Sequence, residues 1–168
     1  MSSKQFIENL NKSITIEGQN IMNEFFITFS RFEFALKSSN YVNTDNGKVM
    51  ANWDTFTQSI SNSFNIEKTQ ILKKSIEYLL EHPAKLQIIH NGQLGWENRI
   101  FQANEPLINK LSLTIRDIRN NLFHGGKFNG NYEQDVSRNF LLLKYSIIVL
   151  NEWLNLNVNV KENFSKSI

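Results

Sequence analysis

Arg119, Asn120 and His124 stand in one short stretch, Arg119-Asn120-Asn121-Leu122-Phe123-His124-Gly125-Gly126-Lys127, and their types suit phosphoryl chemistry. A guanidinium stays charged and presents a planar fork of donors that matches phosphate oxygens, while an imidazole gives or takes a proton near neutral pH. The paired glycines lack side chains and readily adopt left-handed backbone angles, so the helix carrying Arg119 is expected to stop at about His124. A ring in that last turn meets the partial negative charge of unpaired carbonyls, which favours the imidazolium form. Geometry then sets a condition. At about 100° per residue, Arg119 and His124 lie roughly 140° apart on an ideal helix, whereas Asn120 and His124 are only about 40° apart. Converging Arg119 and His124 on one phosphate requires that the last turn unwinds at the glycines, or that a second copy of the chain brings its own pair to the same place.

The elements that must position these residues are helical. From about Asn20 to Ser38 the apolar positions Met22, Phe25, Phe26, Phe29, Phe32 and Leu36 recur at spacings of three and four, the period of an amphipathic helix. Its other face carries Glu24, Arg31 and Lys37, with Glu33 near the apolar edge; Arg31 and Glu33 read either as a solvated face with a local ion pair or as part of a site. Ser39 to Trp53 is polar, and Asn43-Thr44-Asp45-Asn46-Gly47 is a turn signal, so a loop is expected there. A short helix from Thr55 to about Phe64 is capped by Asp54. A second core helix follows, on Ile66, Ile71, Leu72, Ile76, Leu79 and Leu80, and ends before His82-Pro83 with Lys68, Lys73 and Lys74 facing outward. Pro83 to Phe101 has no clean period and is expected to be a long connector, of a kind that can form a lid or rim over a site.

Glu105-Pro106 marks the start of the third core helix, since proline fits a first turn and an acidic residue suits its positive end. Ile108, Leu111, Ile115, Ile118 and Leu122 form its apolar stripe; Arg116, Asn120 and His124 fall opposite, and Arg119 on the flank. Tyr132 to about Leu156 is the last long helix, with a stripe of Val136, Phe140, Leu143, Ile147, Leu150 and Leu154 that Leu141, Tyr145 and Ile148 broaden, as in a central helix or one that packs on two sides. Ser2 to Leu10 reads as a short accessory helix, and Asn157 to Ile168 as a polar tail. The expected fold class is all-α: one domain over residues 1–168, with a core at about 20–156, built as an up-and-down bundle of about four long helices with an elaborated connector and no sheet.

Arg-Asn-x-x-x-His at the end of a long helix, followed by Gly-Gly-Lys, resembles the R-x(4–6)-H motif of HEPN domains. The upstream Arg31-Phe32-Glu33-Phe34-Ala35-Leu36-Lys37 is similar to the first helix of some members, and the likeness spans roughly Asn20 to Leu156. The resemblance implies a small all-helical protein of the kind common among prokaryotic toxins and defence ribonucleases. It implies a homodimer that brings two motifs together in a cleft and cuts RNA without a metal. Carried onto this chain, Arg119 and His124 would be catalytic, and Asn120 and Glu33 supporting.

Composition bounds these readings. The chain of 168 residues is 40% hydrophobic with 13 Phe, ample for one core, and has no Cys, which excludes disulfides and thiolate metal sites. His82 and His90 have no neighbouring acidic or histidine cluster at ligand spacing, so no metal and no cofactor are expected. Apolar runs are too short to span a membrane and the first residues lack the apolar core of a signal peptide, so the expectation is a cytoplasmic protein. A formal charge of +2 and a pI near 8.8 do not by themselves establish a nucleic-acid partner; RNA contacts would have to be local, from Arg116, Lys127 and Arg31. Two functions follow: a HEPN-type endoribonuclease, in the setting of a toxin with an antitoxin or of antiviral defence, or a non-catalytic helical dimer that uses the same basic cleft to bind RNA, a nucleotide or a protein partner.

Overall fold

The computed structural model describes residues 1–123 and 136–166. Within them the chain runs α1 (Ser3–Ser13), α2 (Ile16–Ser38), β1 (Val42–Asp45), β2 (Lys48–Ala51), α3 (Trp53–Ile60), α4 (Gln70–Glu81), β3 (Leu86–His90), β4 (Gln93–Glu97), α5 (Leu107–Phe123), α6 (Val136–Asn155) and α7 (Val158–Ser165). His124 and Lys127, the glycine stop and the expected start at Tyr132 lie outside the described residues. Among the described residues no helix is long and apolar enough to cross a membrane.

Local chemistry sets the ends of these helices. Thr15 caps α2 by accepting a hydrogen bond from the Gly18 amide (3.0 Å), so the helix starts upstream of Asn20. At its other end Asn40 takes a left-handed conformation (φ 66°), and the Tyr41 amide reaches back to the Leu36 carbonyl (3.0 Å) while the Asn40 amide reaches Lys37 (3.3 Å). This is a Schellman closure with asparagine in the place glycine usually takes. Thr69 caps α4 with a 3.2 Å bond from the Leu72 amide, so that helix begins after Ile66 rather than with it.

The core is helical and aromatic. Phe25, Phe29, Phe32 and Leu36 of α2 pack against α6, which is central, as its broad stripe predicts: Leu142, Leu143, Tyr145, Ile147, Val149, Leu150, Trp153 and Leu154 are all buried. Trp153 is fully buried and meets Phe56 and Phe64 edge-on (6.3 and 6.2 Å between ring centroids), in the geometry aromatic quadrupoles favour.

Two expectations are corrected. The chain is mostly helical, but it is not a sheet-free bundle of four long helices. Val42–Asp45 pairs with Lys48–Ala51, and Leu86–His90 with Gln93–Glu97, each as an antiparallel hairpin. Both turns are Asn-Gly with positive φ at both residues: Asn46 49° and Gly47 78°, then Asn91 50° and Gly92 76°. That backbone matches the right-handed twist of the flanking strands, and only glycine and asparagine enter it cheaply. The strands escape periodicity because they are four or five residues long and none of their residues is buried.

The polar tail is also a helix. Asn157 caps α7 through the Val160 amide (3.0 Å), Val160 is fully buried, and α7 lies along α2. Arg31 holds its far end, where Nε donates to the Phe164 carbonyl (2.8 Å) and Nη2 to the carbonyls of Asn163 (3.3 Å) and Lys166. These are the orphan acceptors of a helix C-terminus, satisfied by a cation that also suits its dipole. Arg31 is therefore engaged in holding α7 instead of facing outward as an RNA contact. Arg31→Ala is expected to lower unfolding stability by ~1–3 kcal/mol in urea titration, the usual cost of stripping charged hydrogen bonds, with no change in RNA affinity. Weaker RNA binding at unchanged stability would reverse that assignment.

Candidate functional site

Arg116, Arg119 and Asn120 of α5, Glu33 of α2, and Lys37 one turn further along α2 line a single polar pocket of ≈ 390 Å³. Phe29 and Trp53 contribute aromatic walls, and Asn43, Val49, Met50 and Ala51 of the first hairpin form another side. Of the residues expected to act together, the fold thus gathers Arg119, Asn120, Arg116 and Glu33; Arg31 lies elsewhere, and His124 and Lys127 fall outside the described residues.

Aromatic stacking positions the charged groups. Trp53, the first residue of α3, lies against Phe29 and Phe32 with both centroid separations at 5.2 Å, and its Nε1 donates to Glu33 Oε1 at 3.2 Å. The other side of the pocket uses the same Phe29: the Arg119 guanidinium sits 5.7 Å from the Phe29 centroid and 4.7 Å from that of Phe123. Such cation–π contacts hold a guanidinium in place without consuming its hydrogen bonds. Arg119 Nη1 donates to Asn120 Oδ1 (3.1 Å), while its Nε is buried with no partner among the described residues. Arg116 is only loosely held, 3.9 Å from the exposed Asp54. Lys37, Arg116 and Arg119 against the lone carboxylate of Glu33 leave the pocket lining with a positive balance. It can bind an anion, with Arg119 oriented in advance and Glu33 fixed beside it as an acceptor.

Three residues that shape the site carry no motif. Asp117, buried at 3% exposure, accepts a bidentate pair from Arg99, with Nε to Oδ2 at 2.5 Å and Nη2 to Oδ1 at 2.7 Å. The hydrogen bonds to Asp117 raise the Arg99 pKa further above its already high value. Asn121 Nδ2 donates to the Lys85 carbonyl at 2.8 Å. Together they tie both ends of the 83–101 connector to α5, so that connector fastens the helix that carries Arg119. No residue of it lines the pocket among the described residues; the lid-or-rim position is taken by the β1–β2 hairpin. A buried acidic residue inside a helix, one step from its apolar stripe, is the sequence signal that would have exposed Asp117.

A second cavity of ≈ 380 Å³ lies between α1, α2 and the end of α5, lined by Ile14, Met22, Phe26, Leu122 and Phe123 among others, and among the described residues no ionisable side chain lines it. Among the described residues it offers mainly apolar surface. Among the described residues no group of three or more His, Asp or Glu side chains lies at metal-binding distance. No protein-family profile, no curated protein and no solved structure matches this chain.

The buried pair yields an ordering. Arg99→Ala strands a carboxylate at 4% side-chain exposure, whereas Asp117→Ala leaves a guanidinium that is already 25% exposed and can turn to water. Both variants are expected to lose stability, Arg99→Ala by ~3–5 kcal/mol and Asp117→Ala by less, since most of the penalty is the unpaired charge left behind. Thermal unfolding of the two variants reads this directly, and equal losses would mean the pair is wetter than its geometry indicates.

Proposed function

We propose that this chain is a metal-independent endoribonuclease of HEPN type that acts as a homodimer on RNA, in the role of a toxin or antiviral effector. The observation that carries the reading is the pocket in which Arg119, Asn120, Arg116 and Glu33 meet, with the Arg119 guanidinium against two aromatic rings and its Nε without a partner among the described residues. Desolvated, pre-oriented donors stabilise charge that develops on a phosphorus centre far better than mobile ones in water.

In the proposed reaction a general base removes the proton of the ribose 2′-hydroxyl and the 2′-oxygen attacks phosphorus. The bond from phosphorus to the 5′-oxygen breaks, and a general acid protonates that leaving oxygen, so the products are a 2′,3′-cyclic phosphate and a free 5′-hydroxyl. His124, next in sequence after Phe123, is assigned acid–base chemistry. Arg119 clamps the phosphate, Asn120 orients a ring or an oxygen, Glu33 supports, and Arg116 and Lys127 hold the strand. The angular divergence of Arg119 and His124 on one helix favours a site completed by a second copy, with the same patch on both subunits. The exposed stack of Phe26 on Phe123, at 4.9 Å, is apolar surface beside that end of α5 for such a partner to cover.

The Arg119 Nε, without a partner among the described residues, equally supports anion binding without catalysis, by a dimer that holds RNA, a nucleotide or a partner protein, and the two readings separate in one assay. With labelled RNA in EDTA, wild type is expected to cleave. His124→Ala and Arg119→Ala are expected to lose ~10²–10⁴-fold in rate with their circular dichroism intact, whereas Arg116→Ala and Lys127→Ala mainly weaken association. If folded His124→Ala cuts like wild type, the motif is not catalytic and the binding reading replaces it. Sedimentation should show a dimer; full cleavage by a monomer would remove the composite site.

A further inference from the structure

Glu33 is a carboxylate in a pocket whose other charged residues are cations, and it is paired with none of them. Among the described residues Arg116 forms an ion pair only with Asp54, at 3.9 Å, while Lys37 and Arg119 meet no carboxylate. Opposite charges that share a pocket ordinarily close on one another unless each is held elsewhere. Here both are held: Trp53 Nε1 donates to Glu33 Oε1 at 3.2 Å, and the Arg119 guanidinium rests against Phe29 and Phe123. Trp53 is 3% exposed, so Oε1 is turned towards the core. Oε2 is the acceptor that remains, without a partner among the described residues.

That arrangement works against a bare anion. A carboxylate beside the cations repels a phosphate, and it becomes favourable only when the ligand brings a hydrogen-bond donor next to its phosphate. Ribonucleotides have this pattern. Their 2′-hydroxyl stands on the carbon next to the one that bears the 3′-phosphate, and it is the group by which a protein tells RNA from DNA. The phosphate offers acceptors to the arginines and the hydroxyl offers its hydrogen to the carboxylate.

We propose that Glu33 is the ribose-selecting residue of the pocket, its Oε2 accepting the 2′-hydroxyl hydrogen of a nucleotide whose 3′-phosphate lies on Arg116 and Arg119. This deepens the ribonuclease reading and rests on it for the ligand class.

The test follows, by NMR titration, the binding of inorganic phosphate and of uridine 3′-monophosphate in three forms, carrying hydroxyl, hydrogen or fluorine at the 2′ position. The base is constant, and a 3′-monophosphate has no 5′-oxygen leaving group, so recognition is read apart from cleavage. Wild type should bind the hydroxyl form about tenfold more tightly than the other two, the net scale of one hydrogen bond to a charged acceptor. Fluorine separates donation from size, because it fills the place of the hydroxyl with no hydrogen to give.

Glu33→Gln keeps the seat on Trp53. The indole N–H can only donate, so the amide oxygen stays against it and the NH2 group takes the place of Oε2. The pocket then loses a repulsive charge and an acceptor at once. Inorganic phosphate should bind this variant more tightly than wild type, while its preference for hydroxyl over fluorine falls severalfold; opposite signs in one variant exclude a general loss of folding. Glu33→Asp keeps the charge and shortens its reach by one methylene, so the hydroxyl preference should fall with no gain for phosphate.

Absence of nucleotide binding, equal binding of the three forms by wild type, or a hydroxyl preference that survives in Glu33→Gln would overturn the assignment. Cleavage of RNA by wild type without a 2′ preference would leave the nuclease reading standing and remove this contact. A preference that depends on Glu33, in a protein that cuts no RNA, would do the reverse.

Discussion

The seat of Trp53 between Phe29 and Phe32 is the contact on which the pocket depends. Stacking at 5.2 Å on both rings buries the indole, and a buried indole N–H requires an acceptor, which Glu33 provides. Among the described residues the carboxylate is therefore fixed in direction by core packing and not by a counter-ion. Phe29 extends the effect across the cavity, because the same ring that supports Trp53 also lies beneath the Arg119 guanidinium. A change at Phe29 would loosen the acceptor and the cation together, although neither side chain touches the other's hydrogen bonds.

Fixing α5 falls to polar bonds on its other side. Arg99 and Asp117, with Asn121 and Lys85, fasten the second hairpin to the helix, and Thr57 Oγ1 bonds Asn109 Oδ1 at 2.8 Å to hold α3 against its first turns. These contacts explain why α5 buries Asp117 and Asn121 as well as its apolar stripe. A helix held on several sides can present Arg116, Arg119 and Asn120 with little freedom, and such rigidity is what a pre-oriented anion site needs.

The helices were legible because burial imposes a period on sequence. Met22 to Leu36, Ile108 to Leu122 and Phe140 to Leu154 repeat at three and four, and the fold places α2, α5 and α6 there. Short exposed strands leave no such trace. Their signal was confined to Asn46-Gly47 and Asn91-Gly92, dipeptides whose left-handed preference specifies a two-residue hairpin turn, whereas the flanking residues mimic loop composition. α7 is read as tail because its buried contact rests largely on Val160, too little for a stripe. Of the candidate site, Arg119, Asn120, Arg116 and Glu33 could be drawn from residue type and helix phase. Lys37, one turn after Glu33, follows from helix phase as well, whereas Asn43 could not be joined to them, since its proximity arises from the Schellman turn at Asn40 that folds the hairpin back over α2. Arg31 shows the converse limit: its type suits RNA, and only tertiary contact reveals that helix carbonyls occupy it.

Arg119 poses an energetic question that the core does not answer. Among the described residues its Nε is buried without an acceptor, a state that costs about 1–3 kcal/mol, of which the two aromatic contacts offset only part. A purely structural position would tolerate a long apolar side chain lying on Phe29 and Phe123 and lose nothing in hydrogen bonding. Buried unsatisfied polar groups are infrequent in folded proteins, and each calls for a reason. An anion entering the pocket supplies one, since it would satisfy Nε while meeting the positive balance of Lys37, Arg116 and Arg119. Under the proposed anion-binding reading, that cost is the part of the binding energy spent in advance on orientation.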